Sequence, residues 1–266
     1  MEGAPGSVIS ADGTRIGFIT RGEGPALLMV HGGMCSSARW TPLWPLLVGR
    51  FQVTAMDRRG RASSEDGEGY SLGAEYEDVM AVAEQLSAGQ GRPIDVFGHS
   101  FGAVCALGAA ALGAPLRRLA LYEPPGMQTV PADWLDRVQS MIARGQFSRA
   151  MFSFLVDVVG LTREQVQLLR DNAGGDSPMP IVEKTMVREA EALRTLCLPN
   201  LAPEVVQPVL LLLGGVSPPW AAAVIRSLAD SLPAARVEVL PEQGHEAVDT
   251  APELVTGQLA EFLLDE

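Results

Sequence analysis

The residues best suited to chemistry in this 266-residue chain are Gly98-His99-Ser100-Phe101-Gly102, a serine held between two glycines. A strand-like run, Ile94-Asp95-Val96-Phe97, leads in, and a helix-like run of small residues, Ala103-Val104-Cys105-Ala106-Leu107, leads out. This is the form of a nucleophile elbow. The turn is so tight that the serine takes a strained backbone conformation, and side chains on the flanking residues would strike the neighbouring strand and helix. The hydroxyl then stands above the end of a sheet, with the free N–H groups of a helix N-terminus beneath it. Ser100 is therefore the candidate nucleophile, for attack on a carbonyl with a base to take its proton. The strand before and the helix after separate this stretch from an ordinary glycine-rich turn. No dinucleotide fingerprint, phosphate loop or metal-ligand spacing competes, so the reading needs no cofactor and no metal.

The elements that must position Ser100 follow from the patterning. Asp12-Gly13 predicts a hairpin between Ser7–Ser10 and Thr14–Ile19. Continuous apolar runs at 26–30 and 51–56 predict strands buried on both faces, with a helix from about Ala38 to Leu47 between them. Leu72, Tyr76, Val79, Val82 and Leu86 mark an amphipathic helix with acids on its other face. After the elbow and its helix, a strand over 116–122 stops at Glu123-Pro124-Pro125. From there to about Val206 only helices are expected, over 134–143, 149–159, 162–172 and 182–196, the third ended by Gly174-Gly175. The alternation resumes with a strand at 208–214, a helix at 220–231, a strand at 236–240 and a helix at 252–264. Strands alternating with helices predict an α/β fold, a mostly parallel twisted sheet covered by helices on both faces. Functional residues then belong at the carboxyl ends of the strands.

Bulk properties narrow the function classes. Hydrophobic residues make up 47% of the chain, enough for a large core and against general disorder. A formal charge of −12 and a pI of about 4.7 set the chain against phosphate backbones and anionic membrane surfaces. The expected partner is a small-molecule acyl substrate, with no nucleic acid and no membrane; homo-oligomerisation stays open. Arg58, Arg59 and Arg61 are the one tight basic cluster, more in keeping with pairing to nearby acids than with a nucleic-acid site. Cys35, Cys105 and Cys197 have no metal spacing and read as reduced structural thiols. Met1–Ser10 carries no basic residue and no long apolar run, which predicts no signal peptide and a cytoplasmic protein.

With these elements in order, the chain resembles the α/β-hydrolase superfamily over nearly its whole length, least between Pro124 and Val206. The resemblance rests on His31-Gly32-Gly33 after the third strand, Gly98-His99-Ser100-Phe101-Gly102 at the elbow and Gly244-His245 after the last strand. Asp57-Arg58-Arg59-Gly60 looks like the superfamily's Asp-x-Arg-Gly turn, which shapes the site without being catalytic. The implied architecture is a single domain with its core in 1–123 and 207–266 and a helical lid at 124–206.

The resemblance also implies roles. Among three histidines, His31 and His99 fall at other motif positions, leaving His245 as the base; the ordinary histidine pKa of about 6.5 suits that work. The oxyanion hole would be the backbone N–H groups of Phe101 and Gly33, with Met34 the alternative to Gly33; losing one such donor typically costs about 100- to 1,000-fold in rate. The acid departs from the usual pattern. Where the superfamily commonly has an aspartate after the strand that follows the lid, this chain has Gly214-Gly215-Val216-Ser217 and no carboxylate. Glu123 is the candidate instead, because the strand it ends should lie beside the nucleophile strand, and some members, haloalkane dehalogenases among them, place their acid there. The competing reading, less favoured, makes Glu123 a partner for an arginine such as Arg58 or a hinge for the lid; Asp57 and Glu246 are weaker candidates for the acid.

A serine, not an aspartate, at the elbow points to acyl transfer and away from epoxide hydrolases and haloalkane dehalogenases. The implied activity is that of a cofactor-independent serine hydrolase, cleaving a small carboxylic ester or lactone through an acyl-enzyme. The same site serves carbon–carbon bond hydrolysis or acyl transfer to another acceptor. A different class, a ligand-binding or rearrangement-guiding module without hydrolysis, is favoured by the missing acid at Ser217 and opposed by Ser100 and His245.

Overall fold

The structure is a computed structural model that describes residues 3–172 and 179–265. The expected helix stop at Gly174-Gly175 lies outside them. At the start of the chain, Asp12 Oδ1 accepts the Thr14 N–H at 2.9 Å and Gly13 takes φ 87, closing the hairpin between β1 (Ala4–Ile9) and β2 (Arg15–Arg21). β3 (Ala26–Val30) is buried along its whole length, with Leu27 through Val30 at 0% exposure. Each such side chain contributes about 1.5–3 kcal/mol by leaving water, so this run is fixed at the sheet centre. β4 (Gln52–Met56), β5 (Ile94–His99), β6 (Leu116–Tyr122), β7 (Val209–Gly214) and β8 (Ala235–Leu240) complete one eight-stranded sheet of order β1-β2-β4-β3-β5-β6-β7-β8. β1 and β2 pair antiparallel, as do β2 and β4; every other neighbouring pair is parallel.

The single helix expected over 38–47 is instead a 3-10 turn at Ser37–Trp40 and one helical turn, α1 (Trp44–Leu47). Pro42 and Pro45 are the reason, since each removes an N–H from the ladder and crowds the preceding turn. α2 (Leu72–Gln90) starts at Ser71, whose hydroxyl accepts the Ala74 N–H at 3.1 Å. It runs a turn further than the apolar pattern, to Gly91 in the left-handed conformation. Its acids are not simply a solvated face: Glu75 and Asp78 are buried and meet the equally buried Arg58 and Arg59. α3 (Phe101–Ala111) follows the elbow.

Residues 125–197 form a compact unit of their own. It contains α4 (Trp134–Ala143), α5 (Phe147–Ser153), α6 (Arg163–Asn172) and α7 (Met179–Leu193). The helix expected over 149–159 changes character inside that span. α5 passes into a π-helical turn at Phe154–Val159, which Gly160 ends at φ 88. The other unit, residues 1–124 and 198–266, holds the sheet and takes in 198–206, where Leu198, Ala202 and Val205 are buried. α8 (Pro219–Ser231), α9 (Ala247–Thr250) and α10 (Pro252–Leu264) close the chain. Among the described residues no helix is long and apolar enough to cross a membrane.

Candidate active site

β5 delivers Ser100 and α3 begins at the next residue. Ser100 takes φ 55 and ψ −125, a conformation that L-residues rarely adopt and that its neighbours must enforce. Glycine is required on both sides. A Cβ at Gly102 would fall 2.1 Å from the Val30 carbonyl oxygen, and one at Gly98 would fall 2.6 Å from Ala103 Cα. The Ser100 N–H donates to the Tyr122 carbonyl at 2.8 Å, tying the elbow to the end of β6.

The residue after Tyr122 is Glu123, fully buried and at φ 44. Its N–H donates to the Leu212 carbonyl at 3.2 Å, which fixes the carboxylate between strand ends. Oε1 accepts the Gly214 N–H at 2.7 Å, and Oε2 accepts from His245 Nδ1 at 2.6 Å. A carboxylate on Nδ1 holds the imidazole in the tautomer whose Nε2 lone pair is free to take a proton, and it stabilises the imidazolium that results. The end of β7, where the superfamily pattern puts a carboxylate, here donates a backbone N–H to one. Glu123 is not the partner of Arg58, which is engaged with Glu75. Asp57 is occupied as well, accepting from the Ser37 N–H at 2.7 Å and the Ser63 hydroxyl at 2.6 Å.

Two residues without a sequence-assigned role hold the His245 segment. His99 Nε2–H donates to the His245 carbonyl at 3.0 Å, with the two ring centroids 4.7 Å apart, so the residue beside Ser100 is bonded directly to the candidate base. The Tyr122 hydroxyl donates to the Gly244 carbonyl. Trp220 adds an edge-on ring 5.6 Å from that of His245. Burial drives the pKa of His99 well below the ordinary histidine value, and nearby positive charge adds to the effect. It is therefore a neutral donor. Nothing in the sequence short of the pairing geometry could have given His99 this contact, which spans 146 residues.

The third segment is the loop after β3. His31 is fully buried, and burial again lowers its pKa far below the usual value. The Arg58 N–H donates to His31 Nε2 at 3.1 Å, so the proton sits on Nδ1, which donates to the Gly32 carbonyl at 2.9 Å. Gly32 abuts the elbow: a Cβ there would fall 3.0 Å from Ser100 Cβ. Gly33 follows, and Met34 takes φ 60. Five non-glycine residues have positive φ among the described residues, and Met34, Ser100 and Glu123 all belong to the segments that meet here. The three cysteines are free thiols. Among the described residues no group of three or more His, Cys, Asp or Glu side chains is arranged to hold a metal ion.

A strained serine ahead of a helix, an imidazole on a carboxylate and a glycine-rich loop against the serine occupy the carboxyl ends of neighbouring parallel strands. Comparison with known proteins agrees with that frame, since the model of the alpha/beta hydrolase family matches residues 27–257. The chain belongs to this family. This α/β hydrolase is 26% identical over 253 residues to the 2-(acetamidomethylene)succinate hydrolase of Mesorhizobium japonicum, covering 91% of this chain and 89% of that one. Over 124 residues, 45% of each chain, it is 35% identical to the N-formylmaleamate deformylase of Pseudomonas putida. Among solved structures, an alpha/beta hydrolase from Sphaerobacter thermophilus is 32% identical and superimposes with a TM-score of 0.81, covering 97% of this chain and 100% of that one.

Proposed function

We propose that this α/β hydrolase is a serine hydrolase that cleaves a small carboxylic ester or lactone through an acyl-enzyme. The observation that carries the reading is the 2.6 Å bond from His245 Nδ1 to Glu123 Oε2, made at the strand ends that also carry Ser100. In the first step Ser100 Oγ bonds to the acyl carbon while His245 Nε2 takes the hydroxyl proton. The negative charge that develops on the carbonyl oxygen is met by the N–H groups of Gly33 and Phe101. The imidazolium then gives its proton to the departing alkoxide, and Glu123 compensates its charge while it lasts. Water, deprotonated by His245, attacks the acyl-enzyme in the same geometry; the bond from Ser100 Oγ to the acyl carbon breaks, the imidazolium returns its proton to Ser100 Oγ, and the acid is released.

A second reading, cleavage of an N-acyl bond, is favoured by two relatives whose names give acetamidomethylene and N-formyl substrates. The same acylation step serves it, with nitrogen in place of oxygen as the leaving atom. The helical unit at 125–197 is assigned the part of a lid, on its place in the chain just after β6 and the Glu123-Pro124 that follow it. Purified wild-type protein and its Ser100→Ala variant should be assayed on a panel of p-nitrophenyl esters, lactones and N-acyl compounds, with circular dichroism to check folding. Wild type is expected to turn over at least one class, and the folded variant none. Turnover that survives in Ser100→Ala would reject the assignment.

A further inference from the structure

Arg58 stands at the variable position of the Asp-x-Arg-Gly turn, and its side chain reaches the catalytic loops rather than solvent. It is completely buried. Nε and Nη2 grip the Glu75 carboxylate at 3.0 and 2.5 Å. The remaining arm, Nη1, donates to the Gly32 carbonyl at 3.2 Å, the oxygen that also accepts from His31 Nδ1–H. The guanidinium carbon lies over the Phe101 ring, 4.4 Å from its centroid. One buried cation thus touches the two residues whose neighbouring or own N–H groups are the oxyanion donors in the mechanism above.

The consequence follows from peptide geometry. No cis peptide is present among the described residues, so the N–H of Gly33 points opposite to the C=O of Gly32 in one planar unit. Whatever fixes the carbonyl aims the N–H. Two donors on that carbonyl also polarise the peptide, which strengthens the N–H as a donor at its other end. Gly33 itself has no side chain through which packing could hold the peptide. Phe101 is held by the cation–π contact, worth about 0.5–2 kcal/mol.

We propose that Arg58 is a positioning residue for the oxyanion hole: it holds the Gly32 carbonyl so that the Gly33 N–H faces the substrate oxygen, and it braces Phe101, the second donor. Glu75 fixes the guanidinium so that Nη1 reaches Gly32. This rests on the serine-hydrolase reading. Lysine could not replace it, because a single ammonium cannot fork onto Glu75 and reach Gly32 at once.

Two variants separate this role from a purely structural ion pair. Arg58→Lys keeps a charge opposite Glu75 and removes the fork, whereas Arg58→Met combined with Glu75→Met replaces the buried pair with apolar volume, a change that is often neutral for stability. Each folded variant should lose about 10- to 100-fold in kcat on a p-nitrophenyl ester, somewhat less than removal of a donor outright. KM should stay within about threefold and the low-pH limb of the rate profile should not move, because His245 and Glu123 are untouched. Reaction with a fluorophosphonate, whose adduct places an oxygen in the same hole, should slow in parallel with kcat. A variant that fails to fold is replaced by the other. If wild type reacts with the probe at Ser100 and a folded variant reacts at the wild-type rate, the Arg58 proposal is overturned and the serine-hydrolase reading stands. If wild type itself does not react, both fall.

Discussion

Glu123 holds a positive φ of 44 that a glutamate adopts only at a cost of about 1–3 kcal/mol, and its bonds to Leu212, Gly214 and His245 supply the restraint that keeps it there. Its candidacy was legible in the sequence for a negative reason, the lack of a carboxylate near Ser217, together with the expected order of strands. The Gly214 N–H that receives Glu123 was not legible, because a backbone donor leaves no mark in residue type. Nor was the contact of His99 with His245 or of Arg58 with Gly32, each of which depends on how side chains meet across strands. Two of the three buried histidines carry a measurable signature. His31 and His99 have pKa values pushed well below 6.5, so below that pH the unfolded chain binds protons that the folded chain refuses. Stability should therefore be fully present above about pH 6.5 and fall with falling pH, by as much as about 1.4 kcal/mol per pH unit for each histidine. Urea unfolding at pH 7.5 and pH 5.0 should show the drop, and a His31→Asn variant should lose less stability than wild type between the two.

At the scale of elements, the alternation of apolar runs with helical patterns identified the strands of the sheet and most of the helices. The departures have local causes. Two prolines divided the stretch from 38 to 47, and two acids of α2, Glu75 and Asp78, turned inward to meet arginines that follow β4. Periodicity alone could not reveal the latter, since a buried carboxylate with a buried partner has the same letter as a solvated one. The pairing has a testable asymmetry. Arg59 Nε and Nη2 bind Asp78 at 2.7 and 2.8 Å with both side chains fully buried, whereas its Nη1 reaches Asp12, whose side chain is 34% exposed. Asp78→Asn should cost about 3–5 kcal/mol, because it leaves the buried guanidinium short of charge. Asp12→Asn should cost less than about 1 kcal/mol. Equal losses of urea stability in the two variants would contradict this account of the turn.

For the whole molecule, the sheet order collects at one edge residues far apart in the chain: Gly32 after β3, Ser100 after β5, Glu123 after β6 and His245 beyond β8. That convergence was foreseeable from alternation alone, because parallel strands share their carboxyl ends on one side. The limit of the helical unit was less legible. Residues 198–206 lack the pattern of any regular element, yet the burial of Leu198, Ala202 and Val205 joins them to the sheet-bearing unit. The central claim, that an acid from the end of β6 equips His245 to activate Ser100, is tested most directly by the Glu123→Gln variant. Its rate of acylation by a p-nitrophenyl ester, read from the pre-steady-state burst, should fall by about 1,000- to 10,000-fold while the melting temperature shows a folded protein. A folded variant that acylates within about threefold of the wild-type rate would contradict it.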